Sequence, residues 1–481
     1  MRQTVAILGI PIDNLDTEQV LERLDEFVLL RRFHQVATAN TDFLIKAHHD
    51  PELKAILRRA DLVVPDGMPL VKASHWLKNG LPERVTGADL VPRLATRAAQ
   101  KGYSLFMLGA KPEVAAKAKE QLETDNPGIR IVGCVSPPLG HIVTMDNESI
   151  LQQIEEAKPD ILLVAFGNPK QEKWIHMHRY RLDVPVCIGV GGTFDFIAGN
   201  ISRAPQWMQR SGLEWLYRFS QEPRRLWKRY VEDIFHFTRL FGKQFRVMRS
   251  VGKVSKSQIV VARTADSTVV SITGSLGNGN LADFQQEADR ALNSKTHLVV
   301  DLQQATHLDS ATVGTLINLA KRAASVEREV RLIRVGKALA RVLDSADTEH
   351  LFRTFSSLDA AVCSEPLGGM RVHVDSKLAA ATVRIGGRAV VDSVEGLIAK
   401  LQDIPTDAAR ITIAMDDVQY VECGILAVLS KFAQDRKQAG TVVLFQLGGP
   451  VLDAVKREKL EALFPATEPS LDTPSKEPAA V

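Results

Sequence analysis

The sequence predicts an α/β protein in three parts: a mostly parallel sheet with crossover helices, a helical appendage, and two small α/β modules. Three observations lead to this. Short apolar runs alternate with stretches of helical periodicity through about the first 200 residues, an arginine- and tryptophan-rich segment follows, and the remainder repeats one strand, loop, helix, strand pattern twice. The 481 residues exceed what one ordinary core holds, and 45% hydrophobic with 24% charged residues describes a globular chain, not a disordered one. A net charge of +3 is too mild to imply nucleic acid as a partner.

Strands are expected at 5–10, 35–39, 61–65, 103–108, 129–134, 160–166 and 186–190, and helices at 17–31, 50–59, 87–101, 112–124 and 147–157. These make an α/β domain over 1–200. An Arg/aromatic-rich helical appendage over 201–248 comes next, then a polar linker over 249–257. The first repeat runs from a strand at Thr296–Leu302 through Leu308-Asp309-Ser310-Ala311-Thr312 into a helix and a strand at Val330–Val335. The second runs from Arg410–Asp416 through Val421-Glu422-Cys423-Gly424 into a helix and a strand at Thr441–Leu447. Each is expected to end in a further helix carrying Leu351-Phe352 or Leu463-Phe464. The modules span 258–365 and 371–466, and the proline-containing tail, 467–481, is expected to be disordered.

Cys134, Cys187, Cys363 and Cys423 lie far apart, so neither a disulfide framework nor a zinc site is expected, which fits a reducing cytoplasm. The first residues form a short apolar strand broken by Gly9 and Pro11, with no room for a signal-peptide core, and no run approaches the roughly 18 apolar residues that span a bilayer. Membrane contact is therefore expected to be peripheral.

Four segments place polar residues just past apolar strands, where open α/β sheets bind ligands: 37–42, 64–68, 167–172 and 189–196. Asp66 sits between a strand and Gly67, as a general base aimed at a hydroxyl or as an ordinary turn aspartate. Thr38 and Asn40 suit sugar hydroxyls or the cap of the next helix. Gly167 and Pro169 force an irregular loop, so that Lys170, Gln171 and Glu172 open a helix at its positive end, to meet a polar ligand or to satisfy the first turn. The run Gly189 to Asp195, with Gly191, Gly192 and Thr193, exposes backbone amides that suit a diphosphate or a sugar; it lacks the spacing of a dinucleotide loop. Between Arg203 and Arg229, arginines and tryptophans interleave, a pattern suited to a diphosphate beside a lipid headgroup or to a surface helix packed by its tryptophans.

Taken in order, these four segments and Arg203-Ala-Pro-Gln-Trp-Met-Gln209, Gly212-Leu-Glu-Trp-Leu-Tyr-Arg218 and Gln221-Glu-Pro-Arg-Arg-Leu226 resemble the WecG/TagA/CpsF glycosyltransferases over residues 5 to 245. The resemblance implies a Rossmann-like inverting transferase that moves N-acetylmannosamine, its uronic acid or glucose from a UDP-sugar to an undecaprenyl-diphosphate-linked saccharide in surface polysaccharide synthesis. It implies Asp66 as catalytic base, Thr38 and Asn40 lining the acceptor or sugar pocket, Gln171 contacting the donor, and Arg218, Arg225 and Arg229 as diphosphate ligands. It further implies a homo-oligomer and a cytoplasmic protein peripheral at the inner face of the cell membrane. The run Lys228, Arg229, Arg239, Lys243, Arg246 and Arg249, mixed with Phe235, Phe237, Phe241 and Phe245, fits a helix on anionic headgroups or a solvated helix joining domains. No Asp-x-Asp motif lies at a strand end, so neither metal nor cofactor is expected. The alternative is an inactive transferase fold acting as a scaffold.

The repeated modules resemble the STAS fold of sulfate transporters and anti-sigma-factor antagonists. The antagonists are switched by phosphorylation of a serine at the helix start; Ala311 and Cys423 occupy that position here, leaving Ser310 and Thr312 as substitutes. Docking of a protein partner, or packing on the transferase, is the expected use.

Overall fold

The computed structural model describes residues 3–138, 140–205, 208, 217, 223–250, 257–264, 266–277, 280–294, 296–348, 351–364, 369–377 and 380–465, without the side chains of 223–231, 233 and 377. The predicted tail, 467–481, and linker residues 251–256 lie outside these. The chain forms two compact units, residues 1–139 with 146–366, and residues 140–145 with 367–481.

The first unit opens with a hairpin, β1 (Thr4–Ile7) and β2 (Ile10–Asp13), followed by α1 (Thr17–Leu30), β3 (His34–Ala39), α2 (Thr41–His49), α3 (Pro51–Arg59), β4 (Leu62–Pro65), α4 (Met68–Trp76) and α5 (Gly87–Lys101). Then come β5 (Ser104–Gly109), α6 (Pro112–Asp125), β6 (Arg130–Val135), α7 (Asn147–Ala157), β7 (Ile161–Ala165), α8 (Lys170–Met177), β8 (Val186–Gly189), α9 (Thr193–Ile197) and α10 (Pro223–Ser250). Strands β3 to β8 form one parallel sheet in the order β4-β3-β8-β7-β5-β6. Every residue of β3, β4, β5 and β8 is buried, as a parallel sheet covered on both faces requires. Local signals set the helix ends: Asp16 and Gln19 form a capping box on α1, Thr86 caps α5, and Gly102 ends α5 with φ 74°.

The expected strand at 5–10 is instead a hairpin outside the main sheet. Leu8 and Gly9 have consecutive positive φ values, 49° and 77°, which turn the chain back in two residues. All eight hairpin residues are buried, so both faces of the ribbon need a cover. The Asp13 carboxylate accepts from the Val63 N–H at 2.7 Å, and Gln244 of α10 reads the turn with both ends of its amide, accepting from Leu8 N and donating to Ala6 O, each at 3.0 Å.

The first STAS-like module supplies part of that cover. It comprises β9 (Gln258–Arg263), β10 (Ser267–Leu276), α11 (Leu281–Asn293), β11 (His297–Leu308), α12 (Ser310–Ala324), β12 (Val330–Ile333), α13 (Lys337–Ser345), β13 (Arg353–Phe355) and α14 (Leu358–Val362), in sheet order β13-β12-β11-β10-β9. Helix α12 lies directly on β1: a Cβ at Gly314 would sit 2.6 Å from Thr4 Oγ1 and 3.0 Å from Thr4 O. Ile7, Ile10, Leu53, Leu57, Phe237 and Phe241 join Val313, Leu316 and Ile317 in one apolar cluster. Polar contacts ring it. Asn79 Nδ2 donates to Ser310 Oγ at 2.9 Å, Asn318 Nδ2 to Thr4 Oγ1 at 3.0 Å, and Lys321 pairs with Asp61 at 2.8 Å. Burial opposes ionisation of Asp61, but Lys321, the Gln35 N–H and His34 together outweigh it and hold the carboxyl below its ordinary range. Arg58 donates to Gly9 O at 2.9 Å and to Asp347 O, and Lys54 pairs with the Asp347 carboxylate.

Helix α10 continues through Arg249 and Ser250, so the polar linker expected from 249 begins inside a helix whose face is core. Phe237, Phe241, Gln244 and Met248 are buried and Lys243 pairs with Asp344 of α13. Packing takes Phe237 and Phe241 out of the expected basic-aromatic face and into the core, while Phe235, 62% exposed, and Ile234, 55% exposed, stay outward.

The second unit contains β14 (Arg371–Lys377), β15 (Ala380–Ala389), α15 (Val394–Gln402), β16 (Arg410–Val421), α16 (Cys423–Gln438), β17 (Val442–Leu447) and α17 (Gly449–Arg457). Its order, β14-β15-β16-β17, repeats β9-β10-β11-β12, with an antiparallel first pair and parallel neighbours after it. In both units the polar stretch after the central strand stays extended, giving twelve-residue β11 and β16 with register shifts against β10 and β15. The helices that precede Leu351-Phe352 and Leu463-Phe464 are α13 and α17. Positive φ at Asp347, 53°, and Lys459, 55°, ends each of these helical segments, so Phe352 and Phe464 plug their cores from beyond the helix.

Each Val, Leu, Ile or Phe returned to water costs about 1.5–3 kcal/mol. Residues 1–250 produced alone should therefore melt well below the full chain and bind an apolar-surface dye. Thermal melts of the two proteins check this, and equal midpoints would contradict a shared core.

Candidate active-site crevice

The sheet order brings the four polar segments together, because β4, β3, β8 and β7 are neighbours and all point the same way. Their carboxyl ends carry Asp66, Thr38 with Asn40, the Gly189 loop and the Gly167 loop in turn. This is the edge at which open parallel sheets bind ligands.

Asp66 is the first residue past β4 and is half-buried; its N–H donates to Ala39 O at 2.7 Å. Gly67 follows with φ 155°, and a Cβ there would lie 3.9 Å from Asn40 Cβ, so the Asp66 turn and Asn40 are adjacent. Asn40 caps α2, its Oδ1 accepting from Phe43 N at 3.1 Å. Thr38 is buried and donates to Gly189 O at 3.1 Å, tying β3 to the end of β8.

Gln171 and Glu172 form the floor between the two glycine loops. Gln171 is 1% exposed; its Oε1 accepts from Gly167 N at 3.1 Å and from Gly191 N at 2.9 Å, and its Nε2 donates to Glu172 Oε1 at 2.7 Å. Glu172 Oε2 accepts from Asn168 Nδ2 at 3.1 Å. A Cβ on Gly189 would come within 2.6 Å of both Gln171 Nε2 and Glu172 Oε1, so only glycine fits above them. Burial pushes the Glu172 carboxyl up to about 7, against the hydrogen bonds from Gln171 and Asn168. Next along α8, Lys173 is buried and pairs with Asp50 at 2.6 Å and Glu52 at 3.1 Å, a buried triad that anchors the helix to α3; removing one partner of such a group costs about 3–5 kcal/mol.

Beyond β8, Thr193 is buried and donates to Val190 O at 2.6 Å, Gly192 is exposed, and the half-buried Asp195 opens the short helix α9. Arg203 forks onto both oxygens of Asp89 in the first turn of α5, 3.2 Å from Oδ2. Burial acts against the Asp89 charge, but the bonds from Arg203 and Thr86 prevail and lower its pKa. Arg203 thus ties the segment after α9 to α5. Arg225 and Arg229 lie on α10 with side chains outside the described set, and Arg218 falls outside the described residues.

Asp89, Lys173 and the inward orientation of Gln171 had no signal in the sequence: a first-turn aspartate, an interior lysine and a glutamine next to a glutamate are ordinary surface-helix residues until the partners are known. Of the described site residues, Asp66, Asn40, Gly191, Gly192 and Asp195 keep some surface at the crevice, while Thr38, Gln171 and Thr193 support it from within.

The raised Glu172 pKa has a defined consequence for stability. From the ordinary glutamate value, 4.5, to about 7, the folded protein keeps a proton that the unfolded chain has released, so this contribution to stability falls as pH rises across that window and is flat above it. Glu172→Gln should therefore gain in melting temperature relative to the parent chain between pH 5 and pH 8. Paired melts at the two values measure this, and a constant difference would contradict it.

The profile described as "Glycosyl transferase WecG/TagA/CpsF family" matches residues 5–250, and "Mlab, STAS domain" matches residues 259–353. Three curated proteins named N-acetylglucosaminyldiphosphoundecaprenol N-acetyl-beta-D-mannosaminyltransferase are similar to this chain. That of Bacillus subtilis (strain 168) is 34% identical over 230 residues, which is 48% of this chain and 88% of the relative. That of Bacillus spizizenii (strain ATCC 23059 / NRRL B-14472 / W23) is 36% identical over 196 residues, 41% of this chain and 74% of the relative. That of Staphylococcus aureus (strain MRSA252) is 29% identical over 256 residues, 53% and 96%. A solved anti-sigma factor antagonist from Mycobacterium paratuberculosis aligns with a TM-score of 0.20 at 19% identity, covering 22% of this chain and 92% of that one.

Proposed function

Because the chain belongs to the WecG/TagA/CpsF glycosyltransferase family, we propose that it transfers an N-acetylmannosamine-type sugar from a UDP-sugar to an undecaprenyl-diphosphate-linked saccharide. The observation that carries this reading is the convergence of Asp66, Asn40 and the two glycine loops on the ends of four adjacent parallel strands. Donor and acceptor are those in which the similar mannosaminyltransferases act, as far as their name gives them, and the UDP carrier follows from the resemblance of the motifs.

In this mechanism the Asp66 carboxylate takes the proton from the acceptor hydroxyl, whose oxygen attacks the anomeric carbon as the bond to UDP breaks. Inversion follows from a single displacement. The departing diphosphate gathers negative charge and needs cations. Arg225 and Arg229, on α10, and Arg218 are the side chains assigned to it, as guanidinium forks match phosphate oxygens in pairs. Thr193 and Gly192 at the end of β8 receive the sugar or diphosphate through the loop backbone. Thr38 and Gln171 act on the ligands through the loops they hold in place.

The lipid tail of the acceptor places this edge close to a membrane on its cytoplasmic side. No helix among the described residues is long and apolar enough to cross a membrane. Ile234 and Phe235 of α10 are exposed apolar residues suited to peripheral contact with it.

Asp66→Asn should lower kcat by about 100-fold or more while leaving the melting temperature unchanged, as loss of a general base does. Release of UDP from UDP-N-acetylmannosamine with a lipid-linked N-acetylglucosamine acceptor measures it. Equal release from both proteins would remove Asp66 from the base role, and no release from the parent chain with any donor would favour the scaffold reading. With the arginines in place of a metal, the same assay should proceed in excess EDTA; complete loss there would overturn the metal-free mechanism.

A further inference from the structure

Among the buried groups of the first unit, Glu172 has no part in the transfer chemistry, yet it stands at the one point where both crevice loops are tied to the same side chain. Gln171 accepts two backbone N–H bonds through a single oxygen, at 3.1 and 2.9 Å. An amide can do this only in one of its two orientations, because the flipped group would present N–H donors to N–H donors. The two loop donors favour that orientation, which turns the amide nitrogen to the other side, where it needs an acceptor. Glu172 Oε1, 2.7 Å from Gln171 Nε2, supplies it and so locks the facing that both loops require. Glu172 is in turn oriented by Asn168 Nδ2 at 3.1 Å, and its helix is held from β3 by Gln35 Nε2, which donates to the Glu172 carbonyl at 3.0 Å.

We propose that Glu172 is a positioning residue for sugar transfer: by accepting from the far side of the Gln171 amide it locks that side chain in place, and so holds the separation of the Gly167 and Gly191 loops and the width of the crevice that receives the donor. The role is indirect, since Glu172 is 1% exposed and its carboxylate accepts from the side chains of Gln171 and Asn168. It rests on the reading of this edge as the donor site. Gln171 and Glu172 pack closely under Gly189, where an added Cβ would come within 2.6 Å of both. The charged group on a neighbouring element that acts on Glu172 is Lys46 of α2, which also donates to Asn168 O at 3.3 Å and is paired with Asp42 at 2.7 Å.

The proposal separates two variants that a purely volume-based role would not. Glu172→Gln retains an acceptor oxygen for Gln171 and presents an amide to Asn168, whose own amide can turn to meet it. Glu172→Met fills similar space and offers no acceptor. In the full-length protein, amide hydrogen exchange should quicken by about tenfold or more in the peptides 165–172 and 188–193 of Glu172→Met, with the rest of the sheet protected, and stay near the parent rate in Glu172→Gln. The KM for UDP-N-acetylmannosamine should rise by about tenfold or more in the Met variant and within about threefold in the Gln variant. Parent-like exchange in the Met variant, or a Gln variant as impaired as the Met one, overturns the proposal. If Glu172→Met does not fold, Gln171→Leu takes its place, since it must loosen the same two peptides; unchanged protection there overturns the proposal equally. A parent chain that turns over no UDP-sugar overturns the functional reading instead, and the exchange measurements still decide the role of Glu172.

Discussion

A two-stranded hairpin in which every residue is buried cannot stand alone, and the arrangement of the first unit follows from how β1 and β2 are covered. A pair of strands has two faces and unpaired outer edges, and it is marginal in water without partners on both sides. Here Asp13 attaches it to β4, Gln244 of α10 holds its turn, and α12 of the STAS module closes on Thr4 with glycine at the point of nearest approach. Three parts that are separate in the sequence therefore share one core.

That sharing changes what the first STAS module can do. The surface around the start of α12, where antagonists of this fold carry their phosphorylated serine, faces the transferase. Ser310 and Thr312 are fully buried; Ser310 accepts from Asn79, and Thr312 donates to Leu276 O at 2.9 Å. Adding a doubly charged phosphate to either would require opening the interface, so the two residues that looked like substitutes for the missing acceptor serve packing instead. The partner of this face is the chain itself.

The crevice depends on a different kind of constraint, one of hydrogen-bond polarity. Parallel strands deliver their carboxyl ends to one edge, but loops past those ends have no ladder to hold them. The Gly167 and Gly191 loops are held by Gln171, the β3–β8 junction by Thr38, and the segment after α9 by the Arg203–Asp89 fork. Side chains with the residue types expected of ligand contacts thus frame the crevice from behind, while Asp66, Gly191 and Gly192 keep exposed surface.

Much of this was legible in the order of residues. The 2.0 and 3.6 periodicities, the glycines at helix ends and the repeat of the last two modules are local patterns, and they placed the six sheet strands within one or two residues. The motif order identified the family for the same reason. What the sequence could not contain is which surfaces meet. Phe237 and Phe241 look like a membrane stripe on an isolated helix and are core once that helix packs into the first unit, where Phe241 meets Trp76; the strand at 5–10 looks continuous until two positive φ angles fold it back. Gln171 resembles a ligand contact until Gly167, Gly191 and Glu172 surround it. Composition and periodicity determine whether a segment buries one face, because that depends on neighbours a few residues away. The identity of the covering surface depends on groups hundreds of residues distant, such as Ser310 against Asn79, and only the tertiary structure decided it.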